Sequence, residues 1–505
     1  MVGRIVEPFV RIVDMTNQKS ARLFVVSNRL PVAVISEGGR WTLGPVAGGL
    51  VTAMAPIMER NHGVWIGWPG CGPEVPFGPL LERFNQEHRY QLVPIPLSKH
   101  EEEGYYRGFA NEAIWPLFHD LLGHCRFEAD TWAAYVDVNK RFAEVIASDL
   151  DRQSLVWVHD YQLLLVGADL RAAGVRRPIS FFLHIPFPSL DLFRRMPWKH
   201  LIIRALLAYD QIGFQTIRDR QNFLQCVRGL VPETSVSMGR RGGELEFEGR
   251  TIKVGSFPIS IDFDEFDEGA RRMEVAEASW YLRERYRVGK LILGIDRLDY
   301  TKGIPETFLS FERALEKYPQ MQGSVSLIQI VVPSRTHVPD YRDLKSLLDQ
   351  LSGRINSRFS RHGWVPIHYL YRALDRTELL AHYRASDIAL VTPLRDGMNL
   401  VAKEYCVSSV EERGVLILSE FAGAAEQLGR GALCVNPYDR EGCADAIHQA
   451  YSMNEREQQS RMKLLRSQIR RNDVHRWLQT VLAMPQGGRL EGLPEATAEP
   501  ADTRA

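Results

Sequence analysis

Short apolar runs recur along the chain, with longer amphipathic stretches between them. RLFVVS at 22–27, SLVWV at 154–158, ISFFLHI at 179–185 and KLILGI at 290–295 are followed by SLIQIVV at 326–332, IALVTP at 388–393 and GVLILS at 414–419. These runs are rich in Val, Ile, Leu and Phe and lack the alternation of a half-exposed strand, so they predict strands buried on both faces. Between them, 303–317 and 376–385 carry helical spacing. Strands alternating with helices predict βαβ units and parallel sheets, an α/β fold. There are too many strands for one sheet, so two domains are expected. The division falls after SFPISIDFDEF at 256–266, where a strand-like run gives way to an acidic segment.

Length agrees with that division. At ~150 residues per domain, the 505 residues make two large domains or three small ones. Lys plus Arg is 62 and Asp plus Glu is 62, a balance that disfavours nucleic acid or a membrane surface as partner. Six cysteines without a C-x-x-C pair predict reduced thiols in a cytoplasm rather than disulfides or structural zinc. No apolar run approaches the ~18 residues of a membrane span. Arg4, Glu7, Arg11 and Asp14 interrupt the first segment, so no signal-peptide core is expected there, and Met15 offers a second start. Residues 1–21 read as a disordered lead and the Pro-, Gly- and Glu-rich 485–505 as a disordered tail. Within 456–476, seven cations face two acids, but Met462, Leu465, Ile469 and Trp477 lie near helical spacing. A docked helix with a solvated cationic face is expected there in preference to a nucleic-acid helix.

The candidate chemistry gathers at strand ends, where open α/β sheets bind ligands. Thr392-Pro393-Leu394-Arg395-Asp396-Gly397-Met398-Asn399-Leu400 follows one strand and precedes a helical VAKEYCVSS. Gly397 permits close backbone approach, and the free N–H groups of the helix start suit a diphosphate. Glu404, eight residues after Asp396, is placed to accept both hydroxyls of a ribose; a strand–turn–helix junction capped by Asp is the alternative. Arg297 and Lys302, in IDRLDYTKG, are five apart across a turn and can converge on one phosphate, or be two solvated turn cations. Gly48 and Gly49 in GPVAGGL allow close approach to phosphate, yet match neither a dinucleotide fingerprint nor a Walker A loop. Asp160, in WVHDY, and His184, in FFLHIPFP, end neighbouring strands that face one cleft; Asp160 suits a sugar hydroxyl, and a structural strand-end histidine is the alternative for His184. Arg29, Trp68, Tyr106, Trp115 and Arg335 combine aromatics and cations as a sugar phosphate would need. Core burial is the alternative for Trp68 and Trp115. Nothing suggests a catalytic triad or a metal site.

Together VSNRLP, AGGL, IWPLFH, WVHDYQLL, FLHIPFP, DRLDYTKG, PSR, TPLRDGMNLVAKEY and LSEFAGAA resemble, in order, the trehalose-6-phosphate synthase family of retaining glycosyltransferases. The likeness runs from about Arg22 to about Leu482. It implies a GT-B fold: two Rossmann-like parallel-sheet domains facing across a cleft. The implied divisions are an acceptor-binding domain at 22–260, a nucleotide-sugar-binding domain at 261–455 and a crossover helix at 456–484 packing on the first domain.

The resemblance further implies glucose transfer from a nucleotide-glucose, UDP-glucose foremost, to glucose 6-phosphate, without metal or cofactor. Arg297, Lys302, Gly48, Gly49, Gly397, Met398 and the backbone of Asn399, Leu400 and Val401 are then donor-binding. Glu404 takes the ribose, Asp396 and His184 the donor glucose, and Asp160 the acceptor. Arg29, Trp68, Tyr106, Trp115 and Arg335 form the acceptor pocket. Arg297, Lys302, His184 and Asp160 make up the implied catalytic set, with no protein nucleophile. Both substrates are small molecules, and a homo-oligomer is compatible with the sequence. CGPEVPFG at 71–78 and SVSMGRRGGELEFEG at 235–249 depart from the simplest bacterial members and are expected at cleft-edge loops. Gln162 stands where many members carry His. A glucosylglycerol-phosphate synthase using glycerol 3-phosphate and a silent sugar-phosphate sensor are the rivals; Arg335 argues against the first and the intact Arg297, Lys302, Asp396 and Glu404 against the second.

Overall fold

The computed structural model describes residues 22–483, apart from 38–39, 46–48, 74, 152–153, 239–241 and 335–337. The expected lead and tail lie outside the described residues. Strands of the first domain are β1 (Leu23–Arg29), β2 (Val32–Glu37), β3 (Arg40–Pro45), β4 (Val64–Trp68), β5 (Gln91–Pro94), β6 (Leu155–His159), β7 (Ile179–Phe182), β8 (Gln211–Phe214), β9 (Ser235–Met238), β10 (Gly242–Phe247) and β11 (Arg250–Ser256). The second domain holds β12 (Lys290–Arg297), β13 (Val325–Val332), β14 (Ile367–Tyr371), β15 (Ile388–Val391), β16 (Val415–Ser419) and β17 (Leu433–Val435). Each of the seven apolar runs is a strand, because burial on both faces leaves no position for a polar alternation.

The first sheet runs β5-β4-β1-β6-β7-β8-β11-β10-β9 and the second β14-β13-β12-β15-β16-β17, with β2 and β3 a separate antiparallel pair. Each sheet steps outward from its first strand and then reverses, the doubly wound order of a nucleotide-binding fold. The reversal lies between β1 and β6 in one sheet and between β12 and β15 in the other. Segment 235–249 is not a cleft-edge loop. It supplies β9 and most of an antiparallel hairpin that extends the far edge of the first sheet, and Gly242–Phe247 alternates buried and exposed side chains as a strand with one wet face does.

One apolar cluster belongs to both domains, uniting Trp65, Trp157 and Phe182 with Ile259, Ile261, Leu293, Met398 and Trp477. The C-terminal segment reaches it in two steps, which corrects the single crossover helix expected over 456–484. Helix Glu455–Arg471 stays on the second domain: Met462, Leu465 and Ile469 are buried there, and Arg466 donates to the carbonyls of Cys406 and Val407 and pairs with Asp267. The helix ends at Asn472. Asp473 then caps helix Val474–Leu482, and only this short helix crosses back. Trp477 Nε1 donates to the Phe257 carbonyl at 3.0 Å, and Gln211 Nε2 donates to the Val481 carbonyl at 3.1 Å.

Candidate functional site

The carboxyl ends of both sheets open onto one cavity of about 630 Å³ at the two reversal points. Its walls come from different domains, and the cation of each wall is held differently.

On the first-domain wall, Arg29 ends β1 and points its guanidinium over the Trp68 ring at 4.0 Å, with the Tyr106 ring at 5.9 Å. Gly70, at φ +86, leaves that guanidinium its space: a Cβ there would lie 1.8 Å from Arg29 Nη1. Trp68 is 1 % exposed and donates Nε1 to the Cys71 carbonyl. It does not line the cavity, so it is corrected from a sugar contact to the support beneath Arg29. Tyr106 and Trp115 do line it, carried by the π-helical turn Glu102–Ile114 and the residue after it.

Asp160 follows β6 in a left-handed conformation, φ 74, which turns its carboxylate back toward β7, where Oδ1 accepts from the His184 N–H at 3.2 Å. Burial raises its pKa to about 6, against backbone N–H bonds and the Arg297 charge, which pull it down. His184 lines the cavity, but both ring nitrogens are engaged within the protein. Nε2 is 3.0 Å from His159 Nδ1, and Nδ1 is 3.3 Å from Gln215 Nε2. His184 thus lines the cavity with both ring nitrogens within hydrogen-bond distance of neighbouring strand and loop residues.

On the second-domain wall, Arg297 ends β12 with its guanidinium carbon 5.9 Å from the Trp115 ring centre. Neither Arg29 nor Arg297 forms an ion pair among the described residues. Lys302 lies in the turn Tyr300–Lys302 and donates to Asp396 Oδ2 at 2.5 Å. Burial would raise Asp396, yet the Lys302 ammonium, with smaller help from His119 and Arg297, holds it below the ordinary carboxylate range. Asn399, at φ 75, joins this group by donating Nδ2 to Asp396 Oδ2 and capping helix Leu400–Ser408 through Oδ1. The helix start thus faces the cavity, lined there by Met398, Asn399, Leu400 and Val401. Glu404, one turn on, accepts from the Tyr383 hydroxyl at 2.7 Å, and burial raises its pKa.

One glycine differs from expectation. Gly397 does not free space for a ligand: a Cβ on it would lie 2.0 Å from the His184 carbonyl oxygen and 2.9 Å from Ile185 Cα. The room it leaves is filled by backbone of the other domain. Gly49 opens helix Gly49–Arg60, whose Val51 lines the cavity. Gly48 and Arg335 lie outside the described residues.

Sequence reasoning missed Asp296, His159 and Gln215, all of which line the cavity. Asp296 adjoins Arg297 in the same motif and was within reach of the spacing argument. Burial raises its pKa to about 7, with Lys302 opposing and Asp396 reinforcing. Gln215 carries no signal in a sequence. Gln162 also borders the cavity. Among the described residues no group of three or more His, Cys, Asp or Glu side chains is arranged to hold a metal ion, and no helix is long and apolar enough to cross a membrane.

The model of glycosyltransferase family 20 matches residues 21–484. A trehalose-6-phosphate synthase of Mycolicibacterium vanbaalenii is 41% identical over 468 residues, covering 92% of this chain and 95% of its own length. A crystal structure of a UDP-forming alpha,alpha-trehalose-phosphate synthase from Burkholderia xenovorans, in complex with glucose-6-phosphate, aligns with TM-score 0.82 at 35% identity, covering 92% of this chain and 99% of that one. An E. coli structure bound with UDP-2-fluoro glucose aligns with TM-score 0.81 at 36% identity, over 92% and 98% of the two chains.

Proposed function

The chain belongs to glycosyltransferase family 20 as a GT-B glycosyltransferase of the trehalose-6-phosphate synthase type, and from that premise we propose that it moves glucose, with retention, from UDP-glucose to glucose 6-phosphate. One observation carries the reading: two cations without ion-pair partners among the described residues, Arg29 and Arg297, reach a single cavity from opposite domains. Such a cavity suits two phosphorylated substrates at once. The relatives bound to glucose-6-phosphate and to UDP-2-fluoro glucose support the same pairing.

On this reading the diphosphate takes the wall of Arg297, Lys302 and the helix start at Asn399–Val401, and Glu404 accepts from the ribose. Asp396, kept ionised by Lys302, accepts from the donor glucose. The acceptor phosphate meets Arg29, steadied by Trp68 and Tyr106. The bond from the anomeric carbon to the diphosphate oxygen breaks as the bond to the acceptor hydroxyl oxygen forms on the same face. The hydroxyl proton passes to the departing phosphate oxygen, so the products are trehalose 6-phosphate and UDP. Charge grows on phosphate in the transition state. Fixed cations aimed there lower the barrier, and loss of one such group costs on the order of 10²–10³ in kcat. No protein nucleophile is used, and the side-chain cations do the work a metal does elsewhere.

The test is release of UDP from UDP-glucose in the presence of glucose 6-phosphate or glycerol 3-phosphate. Turnover dependent on glucose 6-phosphate, lost in Arg297→Ala with the fold intact by circular dichroism, is expected. Turnover with glycerol 3-phosphate alone overturns the acceptor, and wild-type activity in Arg297→Ala overturns the donor site.

A further inference from the structure

A second cavity, of about 670 Å³, opens at the other end of the first sheet from the reaction site. Asp210, which borders it, precedes β8, and Gln215, which borders the reaction cavity, follows that strand. At ~3.3 Å per residue the two stand about 16 Å apart. One wall of the second cavity is the hairpin that sets 235–249 apart from the simplest bacterial members. Glu248 and Gly249, at φ 49 and 74, make the two-residue turn between β10 and β11, so Phe247 and Arg250 face each other as the last pair of the ladder. Phe247, with Ala205 and Ala208, is buried and gives the cavity an apolar lining.

Four guanidiniums line the same space, those of Arg171, Arg176, Arg204 and Arg250, against two carboxylates, Asp210 and Glu248. Two of the four are fixed. Arg171 donates to the carbonyls of Val175, Arg177 and Ala208 and to Asp210 Oδ2 at 2.5 Å. Arg250 donates to the carbonyls of Leu207 and Ala208, with Nη1 3.4 Å from Asp210 Oδ1. Asp210 thus serves two cations, and it also accepts from the Ile179 N–H at 2.8 Å. Burial and the Arg171 charge push the Arg250 pKa down despite Asp210 and Glu248, so positive charge is in surplus there. The other two arginines are exposed. Arg204 lies over the Phe247 ring at 5.7 Å and pairs with Glu233, which does not line the cavity. Arg176 reaches only the Val175 carbonyl, at 3.5 Å, and forms no ion pair among the described residues.

We propose that this cavity binds a small phosphorylated molecule, its phosphate held by Arg176 and Arg204 in front of the fixed charges of Arg171 and Arg250, and its body against Phe247. Planar guanidinium forks match phosphate oxygens two at a time. A dianionic phosphate also offsets the lining's surplus of four cations over two carboxylates. Bulk solvent would satisfy separate surface arginines, but here the charges converge on a space with an apolar wall, large enough for a ligand with a body. The site is separate from the reaction cavity, so both can be filled at once, whatever reaction runs in the cleft.

The test is calorimetric titration with glucose 6-phosphate, inorganic phosphate and succinate. It uses an Arg29→Ala/Arg297→Ala background, which removes the free cations of the reaction cavity. Glucose 6-phosphate should bind that background with a stoichiometry near one, and adding Arg176→Gln/Arg204→Gln should weaken it by about 10- to 150-fold, the worth of a hydrogen bond to a charged group. No binding in the background, or unchanged affinity after the second pair of changes, overturns the site. Binding of inorganic phosphate alone overturns the role of Phe247, and equal binding of succinate overturns the preference for phosphate. Arg176→Gln/Arg204→Gln in an otherwise native chain should keep full turnover of UDP-glucose with glucose 6-phosphate; loss of turnover there overturns the separation of the two cavities. Absence of turnover in wild type would sink the reaction reading, while the titration would still decide the second cavity.

Discussion

Gly397→Ala isolates what domain contact does for catalysis. The residue does not adopt a left-handed φ, so alanine meets no backbone strain, and space alone opposes it. Its Cβ would stand 2.0 Å from the His184 carbonyl oxygen, where a carbon and an oxygen need about 3.3 Å. The obstacle is backbone and has no rotamer to escape into, so relief requires moving the two domains apart by about 1.3 Å at this point. Overpacking of this kind costs about 1–3 kcal/mol, which lowers the ratio of closed to open arrangements by about 5- to 150-fold. Opening relieves the clash but loosens the apolar cluster the two domains share at Met398, and Tm should fall by a few degrees. UDP release with both substrates varied should show kcat/KM down by up to that factor for donor and acceptor together, and small-angle scattering should show a larger radius of gyration. Wild-type kcat/KM in a variant of unchanged dimensions would refute the idea that this close approach holds the cavity together.

Trp68→Leu removes the ring beneath Arg29 and should raise KM for the phosphorylated acceptor by about 2- to 30-fold, the range of a cation–π contact, with donor KM unchanged; an equal rise for both substrates counts against the support role. Asp296→Asn bears on pH dependence. The native Asp296 carboxyl holds its proton to about 7 against an ordinary value of 3.8, so between those values the unfolded chain binds fewer protons and stability falls as pH rises. Asp160, raised to about 6, adds the same sign over the lower part of that window. Urea midpoints at several pH values should show a shallower fall between about 6 and 7 in Asp296→Asn than in wild type, and identical slopes would refute the assignment.

What could be read ahead of the structure followed from where the physics is local. Strands such as β12 and β16 declare themselves because burial on both faces demands an unbroken apolar run. β4 does not, since VWIGW is short and carries a glycine at its fourth position. β9 and β10 escaped because a wet face dilutes the pattern. Arg297, Lys302 and Asp396 were legible from charge at strand ends and Glu404 from its spacing after Asp396; Lys302 pairs with Asp396, and all four line one cavity. Three readings required contacts between residues far apart in the chain. Trp68 reads as a sugar platform until Arg29 is seen above it. Gly397 reads as a phosphate approach until the His184 carbonyl fills its space. The hydrogen bonds of the His184 ring to His159 and Gln215 are likewise hidden until the fold brings the three together. The break at Asn472–Asp473 was not read, because Met462, Leu465, Ile469 and Trp477 keep near-helical spacing across it and only the fold shows which domain each half covers.

Because the short helix Val474–Leu482 returns to the first domain, that domain is built from two pieces of chain, with the whole of the second domain inserted between them. The two crossings lie side by side: the Val474 N–H donates to the Ile261 carbonyl at 3.0 Å, and His475 meets Asp262 at 3.0 Å. A fragment cut at the connector would therefore leave the first domain without the Trp477 ring that packs on Trp157 and Phe182. To make that domain as a separate molecule, residues 22–262 would have to be joined by a designed linker to 473–483. Paired adjacent crossings also restrict how the halves can part, favouring a swing about the line through them over free separation.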